Sequence, residues 1–208
     1  MFDDKYAVID FENFIKDIDL DIIIETGTKI GESTIKLKKY CKFIHTIELN
    51  PQESRKAQEN FNDALPTDKK SVRFWIGDTR DKLKEVLKTI TKNQNVLFFL
   101  DAHRHVNGHP EVDNNPLLEE LSTIMKFIKM QHLKEPHIII DDFANPENEN
   151  IKHNIYGRGD CPLNIEYVKE DLDSIYGKNG YEVYYTEKVE NLNHSGKAFI
   201  KPKRIEEM

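Results

Sequence analysis

The chain has 208 residues, of which 38% are hydrophobic and 32% charged. That length and composition suit one folded domain over residues 1–208 with a core of its own, and they exclude wholesale disorder. With 37 Asp and Glu against 30 Lys and Arg the net charge is −7, which argues against a nucleic-acid partner, because phosphate calls for a cationic surface.

Met1-Phe2-Asp3-Asp4 lacks the basic start and apolar stretch of a secretory leader, so a cytoplasmic address is expected. Phe2 to Ile18 reads as an N-terminal helix within residues 1–20. Asp21-Ile22-Ile23-Ile24-Glu25 is a buried strand. Gly27 and Gly31 bracket a turn, and Ile30, Thr34 and Leu37 mark the helix after it. Phe43 to Ile47 is a second strand. Asn50 then caps a helix, with Pro51 at its first position and Glu53 where a capping box places an acid. Val72 to Ile76 is a third strand, and Asp78 caps a helix carrying Leu83, Val86, Leu87 and Ile90. Val96 to Leu100 is a fourth strand. After a polar loop over 102–115, Asn115-Pro116 opens a helix with Leu117, Leu121, Ile124 and Ile128 on one stripe. Pro136 to Asp141 is a fifth strand, followed by a second polar loop over 143–163. Val168, Leu172, Ile175 and Tyr176 mark a helix closed by Gly177. Tyr181 to Thr186 and Lys197 to Lys201 alternate as a closing antiparallel pair. None of the apolar runs nears the ~20 residues of a membrane span, so no membrane partner is expected. Cys41 and Cys161 are the only cysteines, too few for a disulfide framework or a four-cysteine zinc site.

Strands alternating with helices predict an α/β protein: a Rossmann-like, seven-stranded, mostly parallel sheet with flanking helices and a C-terminal antiparallel hairpin. Ligands of such sheets bind beyond the carboxyl ends of the strands. Each parallel strand delivers a carboxylate there: Glu25, Glu48, Asp78, Asp101, and the pair Asp141-Asp142. Glu48 follows the glycine turn by about 20 residues, where an acid accepts from both hydroxyls of a ribose. A dinucleotide site wants Gly-x-Gly-x-x-Gly, whereas this turn is Gly27-x-x-x-Gly31. A nucleoside without phosphates needs a carboxylate for an ammonium, backbone beside the chain, an acid for the ribose and a polar contact for the base. Glu25, Gly27, Glu48 and Asp78 supply these in order.

From about Asp21 to Ile200 the chain resembles the class I S-adenosylmethionine-dependent methyltransferases. Glu25 to Thr34 resembles their first motif in its O-methyltransferase form, which implies cofactor contacts from Glu25, Thr26, Gly27, Gly31, Ser33 and Thr34. His45 to Pro51 resembles the second motif, and Gly77-Asp78-Thr79 the adenine-contacting one. Phe99-Leu100-Asp101-Ala102-His103 and Ile139-Ile140-Asp141-Asp142 resemble the metal-dependent sugar O-methyltransferases of macrolide and aminocoumarin tailoring. That resemblance implies Mg²⁺ held by Asp101, Asp141 and Asp142, and a small hydroxylated acceptor. Converging carboxylates would also favour a hard cation on electrostatic grounds alone. Where those enzymes carry Asp-Gly-Asp this chain has Asp101-Ala102-His103, which moves the general-base role to His103. His105 and His109 read as solvated loop residues, and Arg158 as an exposed arginine or an anion clamp. Two other classes stand beside this reading: a nicotinamide-dependent oxidoreductase and a non-catalytic S-adenosylmethionine-binding module. Self-association into a homo-oligomer is left open.

Overall fold

Ile22, Ile23 and Ile24 run without a polar interruption because their strand is covered on both faces. The computed structural model describes residues 4–102, 115–148, 151, 163–190 and 196–203. Strand β1 (Ile22–Thr26) lies between β2 (Phe43–Glu48) and β4 (Val96–Leu100), parallel to both. β3 (Val72–Ile76) and β5 (His137–Ile140) extend the parallel set on either side. β7 (Ala198–Pro202) runs antiparallel between β5 and β6 (Tyr181–Tyr185). The result is a seven-stranded sheet of order β3-β2-β1-β4-β5-β7-β6, the α/β Rossmann-like arrangement with a C-terminal antiparallel hairpin that the sequence predicts.

Successive side chains of a strand point to opposite faces, and the two faces carry separate cores. Ile22, Ile24, Phe98, Leu100, Ile138 and Ile140 pack against α4 (Thr79–Leu87), α5 (Leu117–Gln131) and α6 (Ile165–Tyr176) through Leu83, Val86, Leu121, Ile124, Val168 and Leu172. Ile23, Leu97, Phe99, Ile139 and Phe199 pack against Phe11 and Ile15 of α1 (Lys5–Ile15) and Leu37 of α2 (Glu32–Leu37). α3 (Pro51–Ala64) covers the outer strands, where Phe61 meets Phe74 edge-on.

The helix ends follow side-chain chemistry. α1 begins at Lys5, later than the hydrophobic pattern predicts, because the Asp4 carboxylate accepts from the amides of Tyr6 and Ala7, and it ends at Ile15, short of the expected Ile18. Asn50 caps α3 through the amide of Gln52, but the reciprocal bond expected from Glu53 is made by Glu48 instead: Glu48 Oε1 accepts from Asn50 N at 2.8 Å. α6 stops at Gly177, whose φ of +83° suits glycine alone at little cost. Among the described residues no helix is long and apolar enough to cross a membrane.

Candidate functional site

Register decides which side chains meet. Thr26 of β1 pairs with Ile47 of β2 and Leu100 of β4, and Leu100 with Ile140 of β5. The strands therefore end level, and the residues that follow them gather along one edge of the sheet.

The turn after β1 is tightly determined. Gly27 has φ of +83°, and a Cβ there would lie 2.2 Å from the Asp101 carbonyl oxygen, so only glycine lets the turn pass the end of β4. Its amides are engaged within the protein. Gly27 N and Thr28 N donate to the Ile47 carbonyl, Gly31 N to the Thr28 carbonyl, and Lys29 N to Glu48 Oε2 at 2.7 Å. Gly31, also at φ +83°, sits against Ala57 of α3.

Glu25 is fully buried. Its Oε2 accepts from Thr34 Oγ1 at 2.5 Å and Thr46 Oγ1 at 2.7 Å, and Thr46 also shares a hydrogen bond with the Thr28 hydroxyl. Burial pushes the Glu25 carboxyl up, against the pull of the Ser33, Thr34 and Thr46 hydroxyls. Thr34, one of the expected cofactor contacts, is thus bonded to Glu25 in the protein itself. Glu25 Oε1 has no hydrogen-bond partner among the described residues.

Glu48 uses one oxygen on Lys29 N and the other on Asn50 N, fastening the turn to the start of α3. Each carboxylate oxygen retains a second lone pair. Asp78 caps α4 through Arg80 N at 2.9 Å and takes a fork from the Arg80 guanidinium, with Nη2 at 2.5 Å. The Arg80 hydrogen bond holds the Asp78 carboxyl below its usual range. Beside these acids, Leu49 and Ile76 are 58% and 46% exposed. They leave apolar surface at the ends of two neighbouring strands, since Glu48 pairs with Ile76.

At the other half of the edge, Asp101 N donates to the Thr26 carbonyl and Asp141 N to the Leu100 carbonyl, each at 3.1 Å. Asp142 has φ of +54° and donates its amide to Asp141 Oδ1. The side chains of Asp141 and Lys197 are 7% and 5% exposed, and Lys197 Nζ lies 2.7 Å from Asp141 Oδ1. Burial opposes charge on Asp141, but the ammonium of Lys197 holds its carboxyl below the ordinary range. Burial, then repulsion from Asp141 and Asp142, drives the Asp101 carboxyl well up.

The three aspartates expected to hold Mg²⁺ do share this edge. Among the described residues, however, no group of three or more His, Cys, Asp or Glu side chains is arranged to hold a metal ion. A cation, Lys197, is in direct contact with Asp141. The set does not fit a divalent ion, and no chemistry is assigned through one. His103, His105, His109 and Arg158 lie outside the described residues. Of the second expected active-site loop, residues 143–148, 151 and 163 are described. Its beginning belongs to the core: Phe143 is fully buried, stacks on Tyr185, and donates its amide to the Gly196 carbonyl.

Solved structures share this architecture over nearly the whole chain. The O-methyltransferase of Bacillus cereus, in complex with SAH, matches 96% of this chain and 80% of its own with TM-score 0.62 and 16% identity. The O-methyltransferase TomG of Streptomyces achromogenes, in complex with SAM, matches 96% and 80% with TM-score 0.60 and 14% identity. The fold is that of the class I methyltransferases. SAH-bound methyltransferase PaMTH1 of Podospora anserina shares it as well, with TM-score 0.54 and 17% identity over 96% of this chain and 78% of that one. No protein-family model and no curated protein matches the sequence.

Four residues of this edge escape a reading of the sequence. Leu49 and Ile76 look like ordinary strand residues, and Lys197 like the polar partner in an alternating strand. Glu120 lies in the first turn of α5 and is fully buried. Neither oxygen of Glu120 finds a hydrogen-bond partner among the described residues. Burial raises its carboxyl to about 7, while the hydroxyls of Thr79 and Thr26 pull the other way.

The sign of that shift sets a pH dependence. The folded state keeps the proton up to about pH 7 while the ordinary glutamate value is 4.5. Folded protein then binds more protons than unfolded, so this group's contribution to stability falls as pH rises from 4.5 to 7. Glu120→Gln should stabilise the protein by about 1–3 kcal/mol at alkaline pH and change little at acid pH. Urea unfolding at the two pH values checks this, and equal stabilisation at both would contradict it.

Proposed function

We propose that the chain transfers a methyl group from S-adenosylmethionine to a hydroxyl of a small polar acceptor, a sugar or sugar nucleotide. The observation that carries the cofactor is the state of the turn after β1. Its amides at Gly27, Thr28, Lys29 and Gly31 are bonded within the protein. A nicotinamide dinucleotide needs such amides for its pyrophosphate, and here Glu48 would face that anion. A cationic nucleoside without phosphates suits the same edge, where carboxylates from the parallel strands outnumber the buried Lys197. The sugar-like acceptor rests on the resemblance of residues 99–103 and 139–142.

The residues fit such a cofactor. Glu25 Oε1 is a buried acceptor awaiting a donor, and it would answer the ammonium group. Glu48 would accept from the ribose hydroxyls on the lone pairs left by Lys29 and Asn50. Leu49 and Ile76 would cover the flat base, and Asp78, shared with Arg80, would accept from its amino group. S-adenosylmethionine supplies a methyl group already activated by a positively charged sulfur. The protein's remaining work is to place the acceptor oxygen in line and manage its proton. Asp101 stands at the edge to orient the acceptor hydroxyl, and His103, two residues on, is the base that takes its proton.

Three outcomes test this reading. Glu48→Ala should weaken S-adenosylhomocysteine binding by about 1.5–3 kcal/mol, the range for hydrogen bonds to charged groups. Calorimetry should also show no binding of NAD to the wild type. Unchanged affinity in the variant would remove Glu48 from the site. His103→Ala should lower kcat by roughly 10²–10⁴ and leave S-adenosylhomocysteine affinity as it was, with His105→Ala and His109→Ala far milder. A kcat and pH–rate profile like the wild type's would send the proton elsewhere. A non-catalytic module would bind the cofactor and turn over no hydroxylated acceptor.

A further inference from the structure

Lys197 is a buried cation at the one place where the sequence resemblance implies a metal. Its position is over-determined. Lys197 N donates to Thr186 Oγ1, and Thr186 N donates to the Lys197 carbonyl. The preceding Gly196 is pressed so closely that a Cβ would lie 2.4 Å from Ile151 and 2.5 Å from the Phe143 carbonyl oxygen. The side chain then reaches Asp141 at 2.7 Å. An ammonium has three protons to donate, and among the described residues only Asp141 takes one. Asp101, Asp142 and, from α1, Asp10 add negative potential around it. Asp101 and Asp142 are half-buried, so the cluster meets the surface at the carboxyl edge of the sheet.

We propose that Lys197, held by Asp141, hydrogen-bonds the acceptor oxygen and supplies the positive charge that a divalent ion supplies in metal-dependent methyl transfer, so that this chain works without metal. The inference rests on the methyltransferase reading above. In the step it serves, a lone pair of the acceptor oxygen forms the new O–C bond to the methyl group as the S–C bond breaks. That bonding pair stays on sulfur, giving S-adenosylhomocysteine, and the hydroxyl proton passes to His103. A fixed ammonium favours the negative charge that loss of the proton leaves on that oxygen, and it needs little reorganisation because Asp141 already holds it. Asp141 is accordingly a positioning residue for Lys197 rather than a metal ligand.

The test uses the full chain, methyl-labelled S-adenosylmethionine and a panel of sugars and sugar nucleotides. Wild-type turnover should be the same in excess chelator and in added Mg²⁺. Lys197→Met should lower kcat by ~10²–10³, the usual loss for one such donor, with S-adenosylhomocysteine affinity unchanged by calorimetry. Because that variant strands a buried carboxylate, the double variant Lys197→Met/Asp141→Asn is the decisive one. It removes both charges and should recover the melting temperature, yet stay as slow as the single variant. A double variant with near-wild-type kcat would make the lysine a structural partner only and overturn the proposal. Wild-type turnover that requires Mg²⁺ would overturn it while leaving methyl transfer intact. Wild type that binds S-adenosylhomocysteine but methylates nothing on the panel, with or without Mg²⁺, would bring down the methyltransferase reading and this inference with it.

Discussion

The register that sets Thr26 beside Ile47 and Leu100, and Leu100 beside Ile140, determines where the acidic side chains of this protein go. In a parallel sheet a level edge places the residue after each strand next to its neighbours. Glu48 can then reach across to Lys29 N, and Asp101 N to the Thr26 carbonyl. A slip of one residue in β2 would turn Thr46 away from Glu25 and carry every other side chain of that strand to the opposite core. The two apolar cores, one under α1 and α2 and one under α4 to α6, oppose such a slip. The geometry of the edge is therefore fixed by residues far more apolar than those that line it.

Placing so many carboxylates together is costly, and the protein meets the cost differently at each position. Glu48 spends its charge on two backbone amides. Glu25 is surrounded by hydroxyls, which favour its charged form but do not overcome burial. Asp78 has a guanidinium from α4, and Asp141 the ammonium of Lys197, the residue before β7. Glu120 has neither, and it is the group whose proton the fold retains. Charge is thus stabilised at Asp78 and Asp141, and opposed at Glu25, Asp101 and Glu120. An edge that mixes charged and proton-holding acids in this way is better matched to a cationic ligand than to a phosphate.

Much of this is legible in the chain itself. Local signals place the elements: the isoleucine runs of β1 and β5, the Asn50-Pro51 start of α3, the Gly177 stop of α6. Each depends on residues adjacent in sequence. The glycines at 27 and 31 and the acids at 25, 48 and 78 are likewise readable, because strand ends can be found from apolar runs. What the sequence does not disclose are pairings made by the tertiary fold. Lys197 lies 56 positions from Asp141 by residue number, and nothing local marks it as buried. The bond from the Thr34 hydroxyl to Glu25 joins residues nine positions apart and is not marked by anything local. Glu53 occupies the capping-box position, yet Glu48 reaches the same amide from the other side. Asp101, Asp141 and Asp142 read as a triplet from the chain alone, and only the fold shows Lys197 against Asp141.

On the function proposed above, the carboxyl edge from Glu25 to Asp78 receives an adenosine-bearing sulfonium cofactor. A crystal structure of the full chain with S-adenosylhomocysteine tests it most directly. The expected complex has ribose hydroxyls on the Glu48 carboxylate, the base over Leu49 and Ile76, and the amino-acid end toward Glu25, with the Lys29 and Asn50 amides still bonded to Glu48. A nucleoside bound away from Glu48, or bound only after the turn at Gly27 to Gly31 has rearranged to present its amides, would contradict it.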